Sequence, residues 1–381
     1  MKKLSKVLLT SLMAVPMFSV STVSAAQTVT DQLPDTVTRK AEHVFEHDSG
    51  ITGGRIWRSL SSDDKYILYC SNRNNDFVAN DVLTKDEKMP YGIAYILKNS
   101  YPTKKLISGI TAEDSIQHTA TFCDKGEEMI NIYITQASIW TYQKTISNET
   151  RISNQLQFKD NENTGSCDSY TYNGVTYNTI GGTPVTEFSN LLWNTYINNL
   201  VAGANSVQDP ANTSLNISNV SNWSEENDAY KSDLISVSLS NNEAKYNTYN
   251  LSLSDAPNGT KIYTESGSDI TDNASNITAG TKVYLTVPKN EVSSGKANFT
   301  LNATSDITYD AAYQYVDKTN GHQPSVLVGP EQKQILGSLS LTIVPDTASM
   351  ISKSIYFIGF IILLSGAGII YANVRPRKVE E

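Results

Sequence analysis

Two apolar segments, one at each end, decide how much of this chain is available to fold. Lys2, Lys3 and Lys6 precede an apolar stretch at residues 7–20, and Val23-Ser24-Ala25 supplies the small residues at which a signal peptidase cuts. The pattern predicts a secretory signal over residues 1–25, cleaved after Ala25 or after Ala26. Near the other end, residues 355–374 read IYFIGFIILLSGAGIIYANV, about the length that crosses a bilayer. Arg375, Arg377 and Lys378 follow at once, as positive residues do on the cytoplasmic side. The sequence therefore predicts an exported chain with a single C-terminal transmembrane helix and its tail inside.

Taking these ends away moves the net charge from −9 to about −14. An exported part this acidic is not built for nucleic acid or for an anionic membrane surface. Only 18% of residues are charged, and Asn, Ser, Thr and 21 Tyr fill the difference, a balance that suits strand-rich folds with polar surfaces. The cysteine count, three, is odd, so at least one has no cysteine partner within the chain. Cys123 and Cys167 are available for a disulfide, which an extracellular compartment permits, and Cys70 is then left over.

Along the chain, a compact region is expected over residues 40–204. Tyr66-Ile67-Leu68-Tyr69 reads as a buried strand. Residues 91–99 fit a short helix or strand stopped by Asn99 and Pro102. A helical stretch is expected to open at Ala112-Glu113-Asp114 and to run, interrupted, towards Trp140. Residues 147–184 are polar and rich in Asn, Gly and Tyr, as in a hairpin with loops. Leu192, Tyr196 and Leu200 fall four apart on one face of an expected helix, with Gly203 as its C-cap. Residues 205–228 read as a linker, and residues 229–344 as an all-β, immunoglobulin-like sandwich of short alternating strands such as Lys282-Val283-Tyr284-Leu285-Thr286-Val287.

The chemistry is carried by Cys70 and Gln136. A thiolate is a good nucleophile and a fair leaving group. Its attack on a side-chain carboxamide expels ammonia and leaves an acyl group on sulfur, which is more reactive towards amines than an amide is. Such a bond needs an apolar, aromatic lining that excludes water until the amine arrives. Tyr69 stands beside the cysteine, and Trp140 lies one helical turn beyond Gln136, on the same face.

Tyr69-Cys70 followed by Thr135-Gln136-Ala137-Ser138-Ile139-Trp140 resembles the paired motifs of the thioester (TQxA-type) domain of Gram-positive surface adhesins. Asn99-Ser100-Tyr101-Pro102 is similar to that family's Asn-Gly-Tyr-Pro turn, with Ser in place of Gly. The resemblance covers roughly residues 40–204. It implies an α+β domain, a β-sandwich or barrel with a helical part, in which Cys70 and Gln136 are cross-linked and Tyr69, Thr135, Ala137 and Trp140 surround the bond. It further implies an adhesin whose Gln136 acyl group is captured by a Lys amine on a host or matrix protein. That is a single-use reagent rather than a turnover enzyme, with no cofactor and no metal.

Val344-Pro345-Asp346-Thr347-Ala348, ahead of the span, is similar to the sorting signal by which sortases attach proteins to peptidoglycan, with Val and Ala at its first and fifth places. By that resemblance residues 344–381 form the sorting signal, cut between Thr347 and Ala348, and the chain ends on the cell wall. The alternative is a plain membrane anchor through the C-terminal helix.

Other patterns compete. His43-Val44-Phe45-Glu46-His47 is an HxxEH, which on a helix would offer two zinc ligands and a base for a peptidase, although Gly50, Gly53 and Gly54 would end such a helix early. Lys231 is of the type that joins an Asn in an internal isopeptide bond, yet residues 334–344 contain no Asn. A non-covalent adhesin or pilus subunit, with Cys70 merely buried, is the rival in the binding class.

Overall fold

The computed structural model describes residues 32–47, 54–72, 75–113, 126–147, 169–178, 186–292 and 296–344. The expected signal with Ala25 and Ala26, both Cys123 and Cys167, and the sorting segment with Thr347 and Ala348 lie outside the described residues. Among the described residues no helix is long and apolar enough to cross a membrane.

The chain opens with an antiparallel ribbon, β1 (Thr36–His47) against β2 (Gly54–Ser61). A two-residue strand β3 (Tyr69–Cys70), then β4 (Val82–Lys88), leads to helix α1 (Tyr91–Lys98). Next come β5 (Thr111–Glu113) and the long helix α2 (Gly126–Ser147). β6 (Ser169–Tyr172) and β7 (Val175–Asn178) form the hairpin expected in the polar insert. Its turn is Asn173-Gly174, both at positive φ, the pair that a two-residue hairpin loop favours. α3 (Thr186–Leu192), a π-helical turn (Trp193–Ile197) and α4 (Asn198–Ser206) follow as one helical stretch.

The rest is strand with short 3-10 turns. β8 (Leu215–Ile217), β9 (Trp223–Glu226), β10 (Ala229–Ser232) and β11 (Val237–Leu239) come first. β12 (Thr248–Ser254), β13 (Lys261–Thr264), β14 (Ile277–Thr278) and β15 (Val283–Pro288) follow. Two long strands close the fold, β16 (Ala297–Val316) and β17 (Ser325–Ile343).

These two strands organise the molecule. They pair in unbroken antiparallel register from Ala297 opposite Ile343 to Tyr315 opposite Ser325. At one end they belong to a β core with Leu251, Leu285, Leu301, Ile307 and Ile343, covered by the sheet β13-β15-β10-β9. At the other end β16 pairs with β4 and β17 with β3, and Ala312, Val326 and Val328 enter the core built by α1, α2 and α4. Lys98 reaches Glu243 at 3.2 Å and Asp310 at 3.1 Å, which ties α1 to the β half as well.

Helix α2 is buried along almost its whole length, polar residues included. Asn131, Thr135, Gln136 and Ser138 are at most 2% exposed beside Ile130, Ile134 and Ile139. Thr135, Ser138 and Thr141 turn their hydroxyls onto the carbonyls four residues back, which satisfies each one inside the core. Before its last turn, where Lys144, Thr145 and Ile146 are exposed, the helix has no solvent face and hence no amphipathic stripe.

The structure departs from the expected organisation in several places. Residues 229–344 are not a separate sandwich behind a linker, because β16 and β17 complete the first core. The supposed linker 205–228 contributes β8 and β9; Leu215 of β8 packs against Gly337, where a Cβ would meet its carbonyl oxygen at 2.5 Å. Residues 111–113 form a strand paired with β6, and the helix starts at Gly126. Gly203 lies inside α4 and caps nothing; its missing side chain admits Tyr95, whose hydroxyl would stand 2.4 Å from a Cβ there. His43, Glu46 and His47 lie in β1, opposite Trp57, Arg55 and Gly54. Four residues of strand span about 13 Å, so HxxEH lacks the helix that would bring its histidines together.

Candidate functional site

The site is where β3 meets α2. β3 is held on one edge by β17, with Tyr69 opposite Val326 and Cys70 opposite Ser325. Ser71 continues the pairing, its N–H donating to the Pro324 carbonyl at 3.1 Å. Gln136 comes from the middle of α2 and is 2% exposed, while Cys70 is half-buried. The Cys70 N–H donates to Gln136 Oε1 at 2.8 Å, and Gln136 Nε2 donates to the Cys70 carbonyl at 2.8 Å, across a separation of 66 residues. The carboxamide thus lies along the Cys70 backbone as a neighbouring strand would. This brings its carbonyl carbon beside a residue whose sulfur is two bonds from the Cα, which is the proximity that thiol attack on an amide requires.

Both partners are fixed from behind. The Tyr69 hydroxyl donates to the Tyr101 carbonyl at 2.7 Å. The Thr135 hydroxyl donates to the Asn131 carbonyl at 2.9 Å, with the Tyr101 carbonyl at 3.5 Å. Tyr101 precedes a cis Pro102 in the Asn99-Ser100-Tyr101-Pro102 turn. Ser100 is fully buried there and donates to the Ile96 carbonyl at 2.6 Å, so a hydroxyl is accommodated in that turn. Tyr69, Thr135, Ala137 and Trp140 are all buried, giving the dry, aromatic surroundings that protect an acyl–sulfur bond from water.

Asn131, one turn before Thr135, is fully buried and clamps the strand-free segment under the site. Its Oδ1 accepts from the N–H groups of Leu106 and Ile107, and its Nδ2 donates to the carbonyls of Ile107 and Glu127. Asn131→Ala strips the N–H groups of Leu106 and Ile107 of this acceptor at once. We expect it to cost about 3 kcal/mol or more, read as a lower urea midpoint with an unchanged slope.

The structure adds residues that the sequence motifs do not contain. Gln143, two turns beyond Gln136, donates to the Ser71 carbonyl at 2.7 Å, and Gln314 of β16 donates to Ser71 Oγ at 2.9 Å. Arg39 of β1, 1% exposed, donates to the carbonyls of Val78 (3.1 Å) and Gln323 (2.7 Å) and to Asp81 (2.7 Å), with Phe77 stacked at 4.4 Å. Burial pulls its guanidinium below the ordinary value, against the hydrogen bond and charge of Asp81. The spacing of Gln143 is visible in the sequence, since seven residues return a helix to the same face. Arg39 and Gln314 carry no local signal.

His322 Nδ1 lies 3.1 Å from Asp81 and 2.9 Å from Asp317, a trio whose ligand-type atoms all fall within 4.8 Å of one another. The Arg39 guanidinium already engages Asp81, and the N–H groups of Thr319 and Asn320 engage Asp317. The trio is therefore a polar cluster joining the segment after Cys70 to the β16–β17 turn.

Residues 67–177 match the family model of the thioester domain. Among solved structures, the chain is similar to the Bacillus anthracis TIE protein, with a TM-score of 0.50 and 14% identity over 81% of this chain and 49% of that one. It spans about half the length of that protein. It is also similar to the thioester domain of the Enterococcus faecium TIE86 protein, with a TM-score of 0.51 and 15% identity over 82% of this chain and 98% of that one. At these identities the likeness is one of fold. It extends over nearly all of the second structure, a thioester domain, in keeping with the β half and the helical half forming one fold here. No curated protein matches the sequence.

Proposed function

We propose that this chain is a cell-surface adhesin in which Cys70 and Gln136 form an internal thioester that is spent on an amine of another protein. The observation that carries this reading is the paired hydrogen bonding of the Gln136 carboxamide to the backbone of Cys70. In forming the bond, the Cys70 sulfur attacks the Gln136 carbonyl carbon. The C–S bond forms, the C–N bond breaks, and the thiol proton leaves with the amide nitrogen as ammonia. A Lys amine then attacks the same carbon, the C–S bond breaks, and the amine's proton passes to the departing sulfur. The product is an amide between Gln136 and the partner, and the acyl group is not regenerated. The chain is on this reading a reagent and not an enzyme, and it needs no cofactor.

The fold likeness to thioester domains and the match over residues 67–177 support this chemistry. The apolar ends of the sequence support export and an envelope anchor. We read residues 344–381 as a sorting signal cut between Thr347 and Ala348 by a sortase, with peptidoglycan as the acceptor and the membrane as the earlier anchor. The partner at the other end is a host or matrix protein presenting Lys.

Methylamine provides the test. Treatment of the purified exported chain should raise its mass by about 31 Da, place the adduct on Gln136 and expose one additional thiol at Cys70. A chain that gains no mass and already presents the Cys70 thiol would favour the non-covalent adhesin or pilus subunit instead.

A further inference from the structure

Gln143 is the second glutamine that α2 sends to the β3 strand, and the amine-capture chemistry does not consume it. It lies two turns beyond Gln136, on the same face of the helix. Gln136 grips the backbone of Cys70 through both its N–H and its carbonyl. Gln143 Nε2 donates to the carbonyl of the next residue, Ser71, at 2.7 Å. Ser71 is buried, and its other polar groups are held as well. Its N–H donates to the Pro324 carbonyl at 3.1 Å, and its hydroxyl accepts from Gln314 of β16 at 2.9 Å. The residue after Cys70 is thus tied to α2, to the entry of β17 and to β16.

The grip of Gln136 does not survive its own reaction. When the Cys70 sulfur takes the carbonyl carbon, Nε2 departs as ammonia, and the hydrogen bond from that nitrogen to the Cys70 carbonyl goes with it. Half of the hold between strand and helix is lost in the step that needs it. We propose that Gln143 is a positioning residue for thioester formation. Its carboxamide, which no bond change touches, keeps strand and helix in register while the Gln136 carboxamide is converted. This rests on the reading of Cys70 and Gln136 as a condensing pair. The requirement is geometric, since a displacement of about 1 Å at a reacting pair costs about a hundredfold in rate. Once the C–S bond has formed, the covalent link itself joins strand to helix. The effect of Gln143 therefore falls on formation of the thioester and not on its opening by an amine.

Refolding separates the two steps. Residues 26–344, which contain every described element, are purified unfolded with Gln136 intact and diluted from denaturant. The loss of about 17 Da is then followed by mass against time. Gln143→Met keeps the length of the side chain and removes its donor, and should slow the loss about ten- to a hundredfold. Gln143→Lys restores a donor at similar reach and should recover most of the rate. Gln143→Asn keeps the carboxamide but draws it back by one methylene. It should be slow too, and it carries the test should Gln143→Met fail to fold. The thioester that does form in these variants should open in methylamine at close to the wild-type rate.

A Gln143→Met chain, or Gln143→Asn in its place, that condenses as fast as wild type would overturn the proposal. So would a Gln143→Lys chain as slow as Gln143→Met, because the defect would then lie in packing and not in the donated hydrogen bond. Slow formation with correspondingly faster opening would mean a loosened site and a structural role, and would overturn it as well. A wild type that never loses the mass overturns the thioester reading itself, a result distinct from these because no chain then condenses.

Discussion

Cys70→Ala should reduce covalent capture of a biotinylated primary amine to background. The variant should also melt in urea like wild type that has been opened with methylamine. The first result follows from the loss of the sulfur. The second follows from how the two residues touch. Gln136 holds Cys70 through the backbone N–H and carbonyl, and alanine keeps both. Condensed wild type should be more stable than either by about 4 kcal/mol, the value for a cross-link closing a loop of this length in the unfolded chain. Gln136→Ala should abolish capture equally and cost about 2 kcal/mol beyond Cys70→Ala, because it leaves two backbone groups in a partly buried site without their partner. If Cys70→Ala still captured the amine, the acyl group would not be on that sulfur. If condensed and opened wild type were equally stable, no cross-link would close the loop.

The second large effect concerns the C-terminal hairpin. A fragment of residues 32–206 contains the whole segment matched by the thioester-domain family model, along with every residue of the sequence motifs. It should nevertheless fail to fold and should capture no amine. Without β16 and β17, the first core loses Ala312, Val326 and Val328, all at most 2% exposed, and the small core around Leu83 loses Tyr315 and Leu327. Each large apolar side chain is worth about 1.5–3 kcal/mol when buried, and together they match the 5–15 kcal/mol that holds a typical domain folded. β3 would also lose its strand neighbour, leaving Cys70 and Ser71 without Ser325, Pro324 and Gln314. Circular dichroism and amine capture on the fragment, against residues 32–344, check this. A folded, capturing fragment would restore the picture of a head domain followed by an independent spacer.

What the sequence made legible was local. Tyr69, Cys70, Gln136 and Trp140 could be singled out because the chemistry demands a thiol, an amide and a dry lining, and Thr135 through the resemblance of its motif; the structure pairs Gln136 with the backbone of Cys70, and Tyr69 and Thr135 meet at the Tyr101 carbonyl. A hairpin was expected in residues 147–184 from their polar, Asn- and Gly-rich composition, and the structure places one with its turn at Asn173-Gly174. α2 was misread in its start because its buried polar residues erase the usual periodicity, and two of them, Asn131 and Gln136, are satisfied by distant backbone that the sequence does not display. β16 was hidden for a related reason. Its inward positions include Ala303, Ser305 and Ala311, small residues that do not stand out as a strand face yet are at most 3% exposed. The division into head, linker and spacer failed because strand pairing between residues 69–70 and 325–326 is a long-range fact. Arg39 escaped notice for the same reason, since its acceptors at residues 78, 81 and 323 meet only in the folded sheet.

The intact mass of residues 26–344 bears most directly on the thioester. Condensation of Cys70 with Gln136 predicts a mass about 17 Da below the sequence value. A Cys70→Ala chain, which keeps Cys123 and Cys167 and so carries the same contribution from any disulfide, should show no such deficit. A wild-type chain at full sequence mass, differing from Cys70→Ala only by the substituted atoms, would contradict the thioester.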